Sequence, residues 1–441
     1  MEPGSDNRAD HRRNTFAYLG DYVFFGAGMS FASQATVLPS LVRALSGSAL
    51  LVGLVSTLAT GGWLIPQFFT ANLIAGRPRL KSAILVPAIT GRVLFLLLPP
   101  ALLLLAPDRP GAALAVFFVI HGLFWLLDGV CSVSWLDLMG RLLTPPERVR
   151  MMGTGMAGSG VLGVGVGLVV TVVLASPRLA FPLNYALLIA LSGLFYFLSI
   201  GAFSLVRERP FATGERPLPW PSYFRRVFGV VRGDHALRRV VVAQLAYGAW
   251  GLALPFYVLF GIDRLGFAPS SIGVFTTFQV AGGIVGALGI SRLAERRGSR
   301  SVMRLWGVLA VLTPAAALAF PLLAAAVPSA ALPFLYGAVF LVVGAQGNAN
   351  MTGFIAWVLE YAPASQRPMY IGFANALSGT SLVMPILGGL ILTTAGYPAL
   401  FAAAAAVPLL GLFLTFRVIE PRHRAGSPAD EALPPDRPPP V

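Results

Sequence analysis

The 441-residue chain is 56% hydrophobic and only 11% charged, with a mean hydropathy of +0.75; a water-soluble protein of this size needs far more polar surface, so its solvent is lipid. The formal net charge of +14 would suit nucleic acid if the basic residues shared one surface, but they fall in short segments between apolar runs. That placement is a topology signal and argues against a nucleic-acid partner.

Crossing about 30 Å of hydrocarbon takes about 20 apolar residues as a helix, and no alternating ten-residue pattern suggests a β-barrel. Glu2, Asp6 and Asp10 precede a stretch too long for a signal-peptide core, so the first helix is itself a span. Apolar runs bounded by charge, Pro or Gly predict spans over 16–42, 49–75, 82–106, 112–140, 150–175 and 181–205. Six more follow over 239–262, 270–293, 301–326, 331–359, 368–394 and 398–418. The expected fold is an all-α membrane protein of twelve helices in two pseudo-symmetric six-helix bundles. Its parts are a cytoplasmic tail 1–15, a first bundle 16–205, a middle loop 206–238, a second bundle 239–418 and a Pro-rich tail 419–441 of disordered composition. Within the middle loop, the run from Trp220 to Arg232 puts aromatics and arginines on opposing sides of a short helix. It reads as an interfacial helix, with a solvated linker as the alternative.

Arg8, Arg12, Arg13, Arg77, Arg79, Lys81, Arg141, Arg148, Arg150, the middle loop, Arg292 to Arg304, Arg367 and the C-terminal tail share one side; Arg43, Arg109, Arg178 and Arg264 take the other. Positive residues stay inside, so both termini are expected in the cytoplasm. The excess of Arg over Lys, with many Ala, Gly and Pro, points to a GC-rich genome and hence a bacterial inner (cytoplasmic) membrane. Cys131, the single cysteine, lies in an apolar stretch and offers neither a disulfide nor a cysteine metal site.

The two halves repeat. Trp135-Leu-Asp-Leu corresponds to Trp357-Val-Leu-Glu, Arg77-Pro-Arg-Leu-Lys81 to Arg296-Arg297-Gly298-Ser299-Arg300, and Val206-Arg-Glu-Arg-Pro210 to Val418-Ile-Glu-Pro-Arg422, in one order. With six plus six spans, a long middle loop and a basic loop after the second span of each half, the chain resembles the major facilitator superfamily from about residue 16 to 420. That family's loop has the form G-x-x-x-D-R-x-G-R-R; the run Ser291 to Arg300 is similar to it, with Glu295 for Asp and Ser291 for the first Gly. The first-half copy, Ala75 to Lys81, keeps the bases without the acid.

The resemblance implies that Arg77, Arg79, Glu295, Arg296 and Arg300 form gating loops that pair with carboxylates such as Asp137 and Glu360 in one conformation only. Plain positive-inside anchoring explains the same charges. Gly379 to Gly389 in span 11 resembles the Gly/Pro signature that proton-driven exporters of the family carry in span five. Those exporters also place an Arg three residues before a Gln-Gly pair in span four; aligned on Asp128-Gly129, that place holds Trp125.

Charges inside spans cost about 2.5–3.5 kcal/mol each on insertion scales, so Asp21, Arg92, His121 and Asp128 are the first proton-coupling or substrate candidates. Arg92 lies 11 residues from Lys81 and Asp128 lies 13 from Arg141. At 1.5 Å per residue their depths differ by about 3 Å, so antiparallel spans three and four can pair them, as a coupling pair or as a structural one. Asp21 is either a proton site or a carboxylate reaching the interface. His121 shares a face with Asp128 at i, i+7 and either titrates or hydrogen-bonds. Gln346 and Asn350 share a face of span ten, and Gln34 faces inward from span one with Ser33. Trp63, Tyr247, Trp250 and Tyr257, with Gln67 and Gln244, are further candidates to line a pocket, or else belts and packing.

The function expected is secondary transport by alternating access, led by proton-coupled export of an amphipathic or lipophilic small molecule, with an uptake symporter or facilitator second. No phosphate loop appears and no catalytic or metal cluster is spaced for use, so neither ATP, a cofactor nor an enzymatic role is expected. A lipid scramblase is the rival from another class. The expected partners are substrate, protons and membrane lipid, with the chain acting as a monomer. Gating residues gather in the second half and intramembrane charges in the first, a division that suggests separate duties.

Overall fold

The computed structural model describes residues 3–74, 76–210, 219, 235–324, 326–347, 349–361 and 379–420. The expected interfacial helix, the loop holding Pro363 and Arg367, and the tail after residue 420 lie outside the described residues.

The first half begins with α1 (Pro3–Phe31) and α2 (Val37–Ser46), which together make the first span. The sequence reads 16–42 as one helix; the structure breaks it at residues 32–36. There Ser33 Oγ donates to Gln279 Oε1 (3.2 Å) and Thr36 shares a hydrogen bond with Thr276 (2.8 Å), so contacts with the other half outweigh local propensity. Next come α3 (Ala49–Leu73), and α4 (Lys81–Phe95) with α5 (Leu98–Leu105), a span interrupted just ahead of Pro99, whose missing N–H cannot continue the ladder. Then follow α6 (Pro110–Leu142), α7 (Pro145–Ala175) and α8 (Leu183–Ser204). Helix α7 starts on a capping box in which Thr144 N–H and Oγ both donate to Glu147 (2.8 Å each), bonds that hold the Glu147 carboxyl below its usual range.

The second half contains α9 (His235–Gly248), a 3-10 turn (Ala249–Leu252) and α10 (Phe256–Asp263) as one span, then α11 (Ser271–Arg297) and α12 (Ser299–Ala324). Helix α13 (Leu332–Gln346) leads to a π-helical turn (Asn350–Ile355) and α14 (Ala356–Tyr361). A 3-10 turn (Gly379–Val383) opens α15 (Met384–Thr415), which turns back at Gly396 (φ 77, ψ −179) and so holds the end of the eleventh span and the twelfth. Ten described helices are long and apolar enough to cross a membrane. The first span, diluted by the charges of its start, and the break in α15 bring the count to the expected twelve. Large apolar side chains such as Leu104, Val161, Val172 and Leu322 stay exposed, as for an outer surface that meets lipid.

Within the first half α1 packs on α7 and α8, and α6 on α3 and α4; in the second, α11 packs on α13, and α15 on α9 and α12. Across the halves, α7 meets α11 and α3 meets α15. The apolar core follows this layout. At the end of the bundle far from both termini it is one body, joining Leu41, Val55 and Phe117 to Phe256, Phe275 and Phe401. At the termini-bearing end it divides, with Tyr18, Ile84, Met139 and Phe203 in the first half and Leu237, Met303, Phe354 and Trp357 in the second.

The repeat holds in three dimensions. Gly76 and Gly298 both have φ of 79°, each in the short connection between the second and third spans of its half. The Leu80 and Lys81 N–H groups donate to Glu208 (2.6 and 2.8 Å), and the Arg300 N–H donates to Glu420 (3.1 Å), so a carboxylate following the last span of each half caps the helix that opens that half's third span. A side chain at Gly298 would also strike the Glu420 carboxylate, so both its backbone angle and its space call for glycine. Nearby, Arg209 and Arg207 hydrogen-bond Asp10 (3.0 Å each) and hold its carboxyl below the usual value, tying the start of α1 to the chain after α8.

Candidate functional site

A cavity of about 350 Å³ lies between the halves at mid-depth. Gln34, in the break between α1 and α2, Ser56, Thr60 and Trp63 of α3, and Trp125 of α6 come from the first half. Gln244 of α9, Trp250 of the adjoining 3-10 turn, Trp306 of α12, Gln346 of α13, and Ser381 and Pro385 at the head of α15 come from the second. Of the described lining residues, none carries an ionisable side chain. Gln346, buried, donates from Nε2 to Thr313 Oγ1 (2.9 Å), which fixes its amide against α12.

Helices α3 and α6 approach closely behind this wall. A Cβ on Gly129 would lie 2.6 Å from the Trp63 carbonyl and 2.7 Å from that of Gly62, so only glycine permits the contact. The crossing sets Trp63 and Trp125 side by side in the wall, with Asp128 one turn further along α6.

The charged residues stand apart from the cavity, inside the first half. Arg92 of α4 and Asp128 of α6 are 4% and 8% exposed, and both guanidinium N–H groups that face Asp128 Oδ1 lie 3.4 Å from it. The Arg92 guanidinium also sits over the rings of Phe25 and Phe124 (5.5 and 5.6 Å), a cation–π arrangement that helps hold charge in an apolar interior. Asp21, partly buried on α1, accepts from Ser199 Oγ of α8 (2.5 Å) and from Trp135 Nε1 of α6 (2.8 Å). It is therefore fixed within the bundle rather than reaching to an interface.

His121 does not join these groups by a hydrogen bond among the described residues. Its Nε2 meets the Val55 carbonyl of α3 (3.1 Å), and its ring stacks on Phe117 (5.2 Å). The i, i+7 spacing aligns His121 with Asp128 along α6, but the carbonyl nearest its ring takes the bond. Gln67 is also outside the cavity lining: its Nε2 donates back to the Trp63 carbonyl one turn earlier (2.9 Å). Tyr247 packs on Trp306 (5.4 Å) and Tyr257 stacks on Phe401 (5.4 Å), both as core. The side chain of Asn350 lies outside the described residues, and the π-helical turn that starts at Asn350 changes the phase that a regular helix would give it relative to Gln346.

Among the expected gating residues, Arg141 pairs with Asp137 one turn before it on α6 (2.8 Å) and donates to the Arg77 carbonyl (2.9 Å). Ser299 Oγ lies 3.4 Å from Glu360, and the Arg300 guanidinium donates to the Val418 carbonyl (3.3 Å). Arg79, Glu295 and Arg296 are exposed. Each of these described bonds stays within one half. The far end is different: Arg43 of α2 pairs with Asp263 of α10 (3.1 Å), and Thr57 Oγ1 of α3 donates to the Leu382 carbonyl (2.8 Å), both between halves.

Sequence reasoning missed Trp306 as a wall residue and saw Trp125 only as the place of a missing Arg. It also missed the caps: Glu208 and Glu420 stood inside a matched repeat, and an acid kept at one place in both copies was the available signal.

Residues 239–439 match the model of the Major Facilitator Superfamily. The chain is 23% identical over 381 residues to the uncharacterized protein Rv2209 of Mycobacterium tuberculosis, covering 86% of this chain and 72% of that one. Its fold is similar to that of a single-residue mutant of the nucleoside transporter NupG (TM-score 0.66, 12% identity, 93% of this chain and 100% of that chain). It is likewise similar to a D-xylose-proton symporter (TM-score 0.63, 13% identity, 94% and 98%).

Proposed function

We propose that this chain, which belongs to the major facilitator superfamily, exports an amphipathic small molecule in exchange for protons, alternating access to the central cavity between its two halves. The observation that carries this reading is the shape of the apolar core, one body at the far end and two at the termini-bearing end. A carrier halted with one gate closed has this form. With the termini in the cytoplasm, as the basic loops argue, the sealed end faces outward and the cavity serves the inside.

Coupling falls to the first half. Protonation of Asp128 removes the charge that holds Arg92, and with it the reason for that pair to stay joined. Asp21, bound to α6 through Trp135 and to α8 through Ser199, senses the same movement of α6. Helix α6 also carries Trp125 into the cavity wall, so a shift of α6 reaches the substrate without the charges touching it. In the opposite state Arg77, Arg79, Glu295, Arg296 and Arg300 exchange partners with Asp137 and Glu360 across the closing end, and the Asp137 pair with Arg141 is given up. The chain works as a monomer in the inner membrane.

The test uses proteoliposomes and a ligand taken from a thermal-shift screen of metabolites and drugs. Efflux of that ligand should carry protons the other way, and Asp128→Asn should abolish the proton flux while ligand binding persists. Full coupling in Asp128→Asn would sink the proposal. Trp125, at the place where the family's exporters carry Arg, favours a second reading, uptake by symport; proton and ligand moving in the same direction would establish it.

A further inference from the structure

The cavity wall has a chemistry more specific than its position. Charge is absent from its described lining residues. Arg92 and Asp128, the latter one turn along α6 from Trp125, already face each other. An ionic ligand entering this space would lose its hydration with no partner to replace it.

A purely hydrocarbon ligand fits no better. Gln34 lines the cavity, and its carboxamide makes no hydrogen bond among the described residues. Ser56 Oγ and Trp306 Nε1, on opposite halves of the wall, are buried without a hydrogen-bond partner. Buried polar atoms left unpaired are costly, and a hydrocarbon would leave them so. Both belong to residues that line the cavity, so an acceptor on a ligand that opens the wall is the partner the proposal gives them.

The apolar part of the described wall carries four indoles among its side chains. Trp63 and Trp125 come from one half, Trp250 and Trp306 from the other, so indoles border the space from both sides. Flat rings stack on such faces. A glutamine carboxamide presents an acceptor beside a donor, which pairs at two points with the N–H and C=O edge of a cyclic amide.

From these features we infer that the cavity binds an uncharged, ring-bearing molecule with an amide-like edge, of the chemical class of a lactam or nucleobase-type heterocycle. This rests on the reading of the cavity as the transport site and narrows the amphipathic ligand expected there. Anions, lipophilic cations and plain hydrocarbons are excluded as substrates.

The experiment is equilibrium dialysis of the purified full chain in detergent against labelled hypoxanthine, uridine and a cyclic dipeptide, with benzoate, uridine monophosphate and tetraphenylphosphonium as charged probes. At least one neutral probe should bind saturably and the charged ones should not. Gln34→Leu should weaken that binding about tenfold, equivalent to about 1.4 kcal/mol. Trp306→Phe, which keeps a ring and deletes only the N–H donor, should weaken it by a smaller factor. Saturable binding of a charged probe that Gln34→Leu disturbs would overturn the ligand class and leave the cavity as the site. Binding of a neutral probe that is indifferent to both substitutions would overturn the cavity itself. Failure of every neutral probe at millimolar concentration, with the protein unfolding cooperatively, would overturn the class.

Discussion

Trp135 and Trp357 occupy matching places in the repeat, and their indole N–H groups do different things. Trp135 Nε1 donates to the Asp21 carboxylate (2.8 Å), whereas Trp357 Nε1 donates to the Ile419 carbonyl (2.8 Å). One half has put an ionisable group where the other uses its own backbone. The same split runs deeper: the interior of the first half holds Asp21, Arg92 and Asp128, while the matching interior of the second is filled by Met303, Trp306, Phe354 and Trp357. Among the described residues, a duplicated scaffold has kept its packing and caps in both copies and placed a buried acid–base pair in one.

The largest effect should come from breaking the buried pair on one side. Arg92→Met leaves the Asp128 carboxylate alone in an apolar interior and should lower stability on the order of 3–5 kcal/mol. The double variant Arg92→Met/Asp128→Leu should recover most of that loss in thermal unfolding while remaining uncoupled; recovery of coupling with it would make the pair merely structural. Next, Trp135→Phe removes a bond to a charged acceptor, about 1.5–3 kcal/mol, and Trp357→Phe removes one to a neutral carbonyl, about 0.5–1.5 kcal/mol. Only the first should shift the pH profile of transport, and equal shifts in both would erase the contrast between the halves.

Where the halves agree, variants should agree too. Glu420→Gln and Glu208→Gln each weaken a helix cap, by about 0.5–2 kcal/mol, with the buried Glu420 the more sensitive. Thermal unfolding reads both. The smallest effect belongs to Arg43→Gln at the far end, where the ion pair with Asp263 has side chains 41% and 27% exposed and so adds no more than about 1 kcal/mol. That is still enough to change the share of molecules with the far end open. In a Cys131→Ser background, a cysteine in place of Ser33 should react faster with an impermeant maleimide once Arg43 is replaced.

Much of this was legible in the sequence, for identifiable reasons. Arg92 and Asp128 were paired by counting rise from basic anchors, which works because adjacent antiparallel helices must match in depth. Gln34, Gln244, Gln346, Trp63 and Trp250 stand out by residue type inside apolar spans, and the structure sets them along the cavity. The failures share a cause as well. Gln67 bonds to its own helix and His121 to a neighbouring carbonyl, choices set by geometry within a few ångströms that spacing along a helix does not encode. The break at residues 32–36 contains neither Pro nor Gly; it follows from Ser33 and Thr36 bonding to the other half. Trp306 reads as packing until the facing half is in place.

The central claim is that protons are handled by the first half's charged cluster and the ligand by an uncharged cavity beyond it. Proton release or uptake on ligand binding, followed with a pH indicator in weakly buffered detergent solution, tests this directly. Wild type should exchange protons on binding, Asp128→Asn should bind without exchange, and Gln34→Leu should bind more weakly with an unchanged number of protons per ligand bound. Proton exchange that survives Asp128→Asn, or whose stoichiometry changes with Gln34→Leu, would contradict the account.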